Sequence, residues 1–135
     1  MLKVFGAKVK YARVAATARV WAPWLLEMGE HVYIDANVDL YNPFGIIIGD
    51  RAIVSRGSFL CTASHDYRGR QYKLTGGPIV VENDTWIAAD CFIAPGVTVR
   101  RGAVVGARAV VTRDVDEWKL VAGNPATVVK DRTLD

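Results

Sequence analysis

Histidine is scarce in this chain, and one of its two copies sits where the sequence changes character. His65 closes the segment Cys61-Thr62-Ala63-Ser64-His65-Asp66-Tyr67 and opens a polar stretch that runs to Gly77. An imidazole changes protonation near neutral pH, so it suits removal of a proton from a weak nucleophile such as a hydroxyl. An exposed loop histidine with no role fits the same segment, and the segment alone leaves both readings open. His31 falls at a turn and reads as a surface residue. Cys61 lies close enough in sequence to His65 for a thiol mechanism to be the weaker rival, whereas Cys91 falls at a small inward position and reads as core. Two thiols without a disulfide framework fit a reducing compartment.

What must position these residues is a repeat. Every sixth residue from Val81 gives Val81, Ile87, Ile93, Val99, Val105 and Val111, and the same register appears at Met28, Ile34, Leu40 and at Ile48, Val54, Leu60. Four places after each stands another residue, usually small or β-branched: Val32, Val38, Phe44; Ala52, Ser58, Ser64; Thr85, Cys91, Val97; Ala103, Ala109, Val115. Such a period is neither that of an α-helix nor a plain strand alternation. Short strands joined by regular turns satisfy it, with three hexads forming one coil of a triangular prism. The coils then stack at about 4.8 Å, each burying the face of its neighbour. The fold predicted is an all-β parallel β-helix of about five coils, forming a single domain over residues 1–135.

The breaks in the repeat all fall after the third side. Ile46-Ile47 are extra at one such break, and Asp66 to Val80 form a long loop at the next. A weaker first coil from Val9, Ala15 and Trp21 would break near Glu27, although Arg13 and Arg19 fit its inward positions badly. Insertions in a solenoid commonly build a binding face. They place Asn42 and His65 near one edge, roughly one strand spacing apart. Asn42 reads either as an acceptor-binding amide or as a turn residue before Pro43. Asp66 reads either as orienting His65 or as capping the loop.

Composition bounds the rest. Hydrophobic residues make up 51% of 135, enough for a continuous core, and no stretch approaches the length of a membrane span. The first residues lack the pattern of a signal peptide, so a cytoplasmic protein is expected. The net charge of +3 comes with no helix-turn-helix, RNA-binding or zinc-finger pattern, which argues against nucleic acid. The basic residues of the C-terminal third read as a solvated face or as a site for a small polyanion.

Several segments together carry a resemblance: Ser64-His65-Asp66-Tyr67, Thr85-Trp86-Ile87-Ala88-Ala89, Pro95-Gly96-Val97-Thr98, the run Val105 to Asp114, and Ala122-Gly123-Asn124-Pro125-Ala126. The chain resembles the hexapeptide-repeat acyltransferases, and within them the colanic acid biosynthesis acetyltransferase group, related to maltose, galactoside and nodulation-factor acetyltransferases. The resemblance implies a left-handed helix and a cytoplasmic homotrimer with active sites in the clefts between copies. It implies direct transfer from acetyl-CoA to a hydroxyl of a sugar or polysaccharide precursor, with His65 as general base and no metal. Asn42 matches an asparagine that binds the acceptor hydroxyl. Asp66 and Tyr67 open the loop that chooses the acceptor, and Arg68, Arg70, Tyr72 and Lys73 in that loop suit a sugar bearing an anionic group. Trp86 matches the tryptophan beside the pantetheine arm of coenzyme A, and Ala88 and Ala107 match positions whose backbone bonds that arm. Thr112, Arg113 and Lys130 match positions at its nucleotide and phosphate end, where Arg113 replaces lysine and offers a fork suited to phosphate. Thr127 departs from the basic residue common there.

Rival readings are an antibiotic (xenobiotic) acetyltransferase, a serine acetyltransferase, and an inactive structural β-helix. The second normally carries a helical N-terminal domain. The third would need neither the loop histidine nor the basic positions. A γ-type carbonic anhydrase fails on ligand count, since it needs three histidines and the chain has only His31 and His65. The related polysaccharide enzymes usually carry further residues before the first coil, so an incomplete first coil is an open expectation. Trp21, Trp24, Tyr41, Phe44 and Trp118 are candidates for the subunit interface or acceptor pocket.

Overall fold

Short parallel strands stack in three ladders around a narrow apolar interior in the computed structural model, which describes residues 5–135. Strands are numbered along the chain. The first side carries β5 (Ile46–Ile48), β10 (Ile79–Val81) and β13 (Thr98–Val99). The second carries β6 (Ile53–Val54), β11 (Trp86–Ile87), β14 (Val104–Val105), β16 (Lys119–Gly123) and β17 (Ala126–Asp131). The third carries β2 (Arg19–Val20), β4 (Asp39–Tyr41), β7 (Phe59–Cys61), β12 (Phe92–Ile93) and β15 (Val110–Val111). Two longer strands, β1 (Lys8–Val14) and β3 (Leu26–Ile34), round the corner from the first side to the second. A hairpin of β8 (Ala63–His65) and β9 (Leu74–Gly76) stands off the prism.

The third-side sheet has 5 strands, which count five complete coils, and Val115 with β16 begins a sixth. The solenoid is a left-handed parallel β-helix. Like residues stack because each coil repeats its neighbour's hexad. Ile34, Val54, Ile87, Val105 and Val121 form one buried inward column, and Leu40, Leu60, Ile93 and Val111 form another. Each such side chain stabilises the fold by about 1.5–3 kcal/mol through removal from water.

The fourth-place residues are buried as expected, except Phe44 and Ser64, which are exposed. Both lie in broken corners. There the inward place of the first side is taken by Leu26, Ile46 and Ile79, all fully buried. Ile46 and Ile47 are therefore strand residues rather than an insertion, and the long loop ends at Pro78, not Val80. The inserted residues themselves are the 3-10 turn Pro23–Leu25, the corner 42–45 and the segment 62–78, all on the edge between the third and first sides.

The first coil also departs from its expected register. Val9 pairs with Met28, but an irregularity between Tyr11 and Ala12 shifts the strand, so that Val14 stacks on Ile34 and Val20 on Leu40. The inward residues are Val14 and Val20, not Ala15 and Trp21. That shift turns Arg13 and Arg19 outward, where they are exposed, and removes the conflict noted in the sequence.

The corner between the first and second sides repeats one backbone device. His31, Arg51, Asp84, Gly102 and Trp118 all have positive φ there. Side chains then bridge coil to coil. Asp50 accepts the Glu30 N–H at 2.8 Å, Asn83 accepts the Asp50 N–H at 2.8 Å, and Glu82 accepts the Arg101 N–H at 2.8 Å. At the far end Arg132 donates to the Asp84 and Gly102 carbonyls and lies over the Trp118 ring with Arg101. No helix among the described residues is long and apolar enough to cross a membrane.

Candidate active site

His65 ends β8, opposite Leu74 of β9. The base of this hairpin is fixed by the corner one coil before it. Thr62 is buried; its hydroxyl accepts the Phe44 N–H and donates to the Tyr41 carbonyl, both at 3.1 Å, and its carbonyl accepts the Gly77 N–H at 3.0 Å. A Cβ on Gly76 would overlap the Thr62 carbonyl and the Phe44 ring, so only glycine lets the hairpin lie this close.

The His65 ring is exposed, and its Nδ1 lies 2.6 Å from the Tyr72 carbonyl oxygen. A carbonyl can only accept, so Nδ1 carries the hydrogen, and in the neutral imidazole Nε2 is then the nitrogen with the free lone pair. That is the state a general base requires at the nitrogen facing away from the hairpin.

Asp66 does not orient His65. Its carboxylate accepts from Nε and the backbone N–H of Arg68, both at 3.0 Å, and the Arg68 guanidinium holds the carboxyl below its ordinary range. The Asp66 N–H donates to the Lys73 carbonyl at 2.8 Å. Asp66 thus caps the loop through Arg68. Tyr67, at the hairpin tip, is 83% exposed.

Asn42 is at the expected edge but faces the other way. It is 0% exposed; Oδ1 accepts the Ala22 N–H at 2.9 Å, and Nδ2 donates to the Ala22 and Leu25 carbonyls at 2.9 and 3.3 Å. Within this chain its amide pins the preceding corner and offers nothing to an acceptor. Cys91 is buried, and that burial pushes its thiol up, as a core role requires. Cys61, half-buried, directs its thiol to the Ala63 carbonyl at 3.1 Å.

A second set of residues lies on the second side, opposite the edge that bears His65. Trp86 is 46% exposed, and its indole N–H donates to the Ser55 hydroxyl at 3.0 Å. Strand register continues its row through Val104 and Leu120 to Lys130. The row spans three strand spacings, roughly 14 Å. Ala107 is exposed at the adjoining corner. The Ala88 N–H donates to the Val105 carbonyl and the Ala88 carbonyl accepts from the Ser58 hydroxyl, both at 2.9 Å.

Thr112 and Arg113 are exposed just past β15, on the same edge as His65 and two coils further along. Arg113 has no carboxylate partner among the described residues, because Asp114 and Asp116 both pair with Arg100. Two contributors were not visible in the sequence. Tyr72 acts through a backbone carbonyl, which leaves no side-chain signature, and Ser55 is one of several outward serines and threonines.

In one chain, then, a histidine whose Nδ1 is held by a backbone carbonyl stands on one edge, and a row from Trp86 to Lys130 runs along the opposite face. The model of the family described as bacterial transferase hexapeptide (six repeats) matches residues 78–113. The putative colanic acid biosynthesis acetyltransferase WcaF of Escherichia coli (strain K12) is 37% identical over 133 residues, covering 98% of this chain and 73% of that protein. A hexapeptide-repeat containing acetyltransferase of Vibrio cholerae O1 biovar eltor, solved with acetyl coenzyme A, is 33% identical with a TM-score of 0.90, covering 97% of this chain and 73% of that one. A maltose O-acetyltransferase of Clostridium difficile 630 is 25% identical with a TM-score of 0.90, covering 98% of this chain and 73% of that one.

Proposed function

Because the chain belongs to the hexapeptide-repeat acetyltransferases, we propose that it moves an acetyl group from acetyl-CoA to a hydroxyl of a sugar or polysaccharide precursor, with His65 as general base. The contact between His65 Nδ1 and the Tyr72 carbonyl carries this reading, since it leaves Nε2 ready to take a proton. The sugar class rests on the colanic acid and maltose enzymes among the relatives. Bound acetyl-CoA supplies the acetyl group already activated as a thioester. The residues present fit such a donor: Trp86 offers a half-exposed ring, Val104 and Leu120 continue its row, and Lys130 and Arg113 offer charge for phosphates.

His65 Nε2 takes the hydroxyl proton as the acceptor oxygen forms its bond to the acetyl carbon. The carbon–sulfur bond breaks, and the same Nε2 returns the proton to the departing sulfur. Transfer is direct, in a ternary complex, with no acyl-enzyme.

His65 and the Trp86 row lie on an edge and the face opposite it, so one prism cannot bring both to one acceptor. A trimer that sets the His65 edge of one copy against the Trp86 face of the next resolves this. Acetyl-CoA turnover across nucleotide sugars, free sugars and oligosaccharides tests the activity. His65→Ala is expected to lower kcat by about 10²–10⁴-fold, and undiminished turnover would overturn the base. Sedimentation tests the assembly, and a monomer with full activity would overturn the shared cleft.

A further inference from the structure

We infer that Tyr72 is a positioning residue for His65: its left-handed backbone aims its carbonyl at Nδ1 and so fixes the tautomer the base needs. The inference rests on His65 acting as the base.

Tyr72 has φ 45°, a conformation that a non-glycine residue adopts only when its surroundings hold it there. Its side chain offers no reason, since the ring is 61% exposed. The backbone does. The Tyr72 N–H donates to the Gly69 carbonyl at 3.2 Å, and the next residue, Lys73, accepts the Asp66 N–H at 2.8 Å. Arg68 closes the other flank by its double contact with Asp66. With its own N–H and the next residue's carbonyl tied, the Tyr72 carbonyl is held in direction, and His65 Nδ1 lies 2.6 Å from it.

Two chemical consequences follow. A neutral imidazole carries its single hydrogen on either nitrogen, and a carbonyl fixed at Nδ1 selects the form with a free Nε2. Once Nε2 takes a proton, the Nδ1–H becomes part of a cation, and its bond to the carbonyl strengthens. The contact therefore favours the imidazolium formed during transfer over the imidazole that precedes it.

Tyr72→Gly and Tyr72→Asn remove the ring but keep access to positive φ, whereas Tyr72→Val denies it. Two readouts are taken on each: the tautomer of ¹⁵N-labelled His65 by NMR, and kcat with its pH profile. In the glycine and asparagine variants the Nδ1–H form and the shape of the kcat pH profile are expected to persist, whatever the loss of the ring does to acceptor KM. In Tyr72→Val that form is expected to be lost and kcat to fall about 10–100-fold, with an unchanged KM for acetyl-CoA and an unchanged thermal midpoint. If Tyr72→Val keeps the Nδ1–H form while His65→Ala is inactive, the base stands and the positioning role falls. Loss of the form with kcat unchanged would also overturn the positioning role, and His65→Ala alone decides the base.

Discussion

Asn42 and Thr62 hold successive corners of the same edge, each tying its own coil to the one before it. Removing a buried partner leaves a donor without an acceptor, which costs about 1–3 kcal/mol. Asn42→Ala orphans the Ala22 N–H and is expected to lower unfolding stability by that amount, with the acceptor KM unchanged. Urea titration and initial-rate kinetics on the same preparation check it. A raised acceptor KM at unaltered stability would return Asn42 to the acceptor site. The sequence placed this residue on the correct edge because the period and its breaks fix position along the coil. It could not say which way the amide points, because a corner residue has no inward or outward rule. His65 was legible for the opposite reason: an unusual residue type at the largest break. The carbonyl that orients it was not.

At the scale of strands and corners the period was enough to give the sides, the inward columns and the edge that takes insertions. It failed where a hexad is irregular. Arg13 and Arg19 already signalled that the first coil was misregistered, and the one-residue shift near Tyr11 is the physical resolution. The corners bear a charge pattern that the period does not encode. Asp84 pairs with Arg51 and lies 3.5 Å from Arg101, and hydrogen bonding to the Arg51 guanidinium lowers its pKa. A carboxyl with a lowered folded value adds stability above its unfolded value, about 4, and loses it as pH falls through the folded one. The thermal midpoint should therefore drop as acid passes through that window. Asp84→Asn keeps a residue that tolerates the positive φ of 63° and removes only the charge. Its midpoint should be lower than the parent's near neutrality and converge with it in acid. Parallel curves across the whole range would show that the ion pairs add nothing.

Across the whole prism, stability should vary with distance from its ends, because each coil contacts only its neighbours. Val14 and Val54 occupy the same inward column on either side of Ile34. Val54 is fully buried between Ile34 and Ile87, while Val14 is half-buried and lines an apolar hollow with Val9, Ala12, Ala18 and Val20. The same truncation therefore leaves a closed cavity at one site and an open surface at the other. Val54→Ala is expected to cost about 2–3 kcal/mol, and Val14→Ala less than about 1 kcal/mol, since the hollow can relax. Amide exchange should rank the coils the same way, with β1 and β2 exchanging before β6 and β7. Equal costs at the two sites would mean that something covers the first coil in solution, and a lower cost for Val14→Ala after controlled dissociation of the assembly would identify that cover as a second copy. The column is legible from the period alone, whereas what lies against the open side of Val14 is not, because the period fixes which side chains turn inward and not what packs on the first described coil.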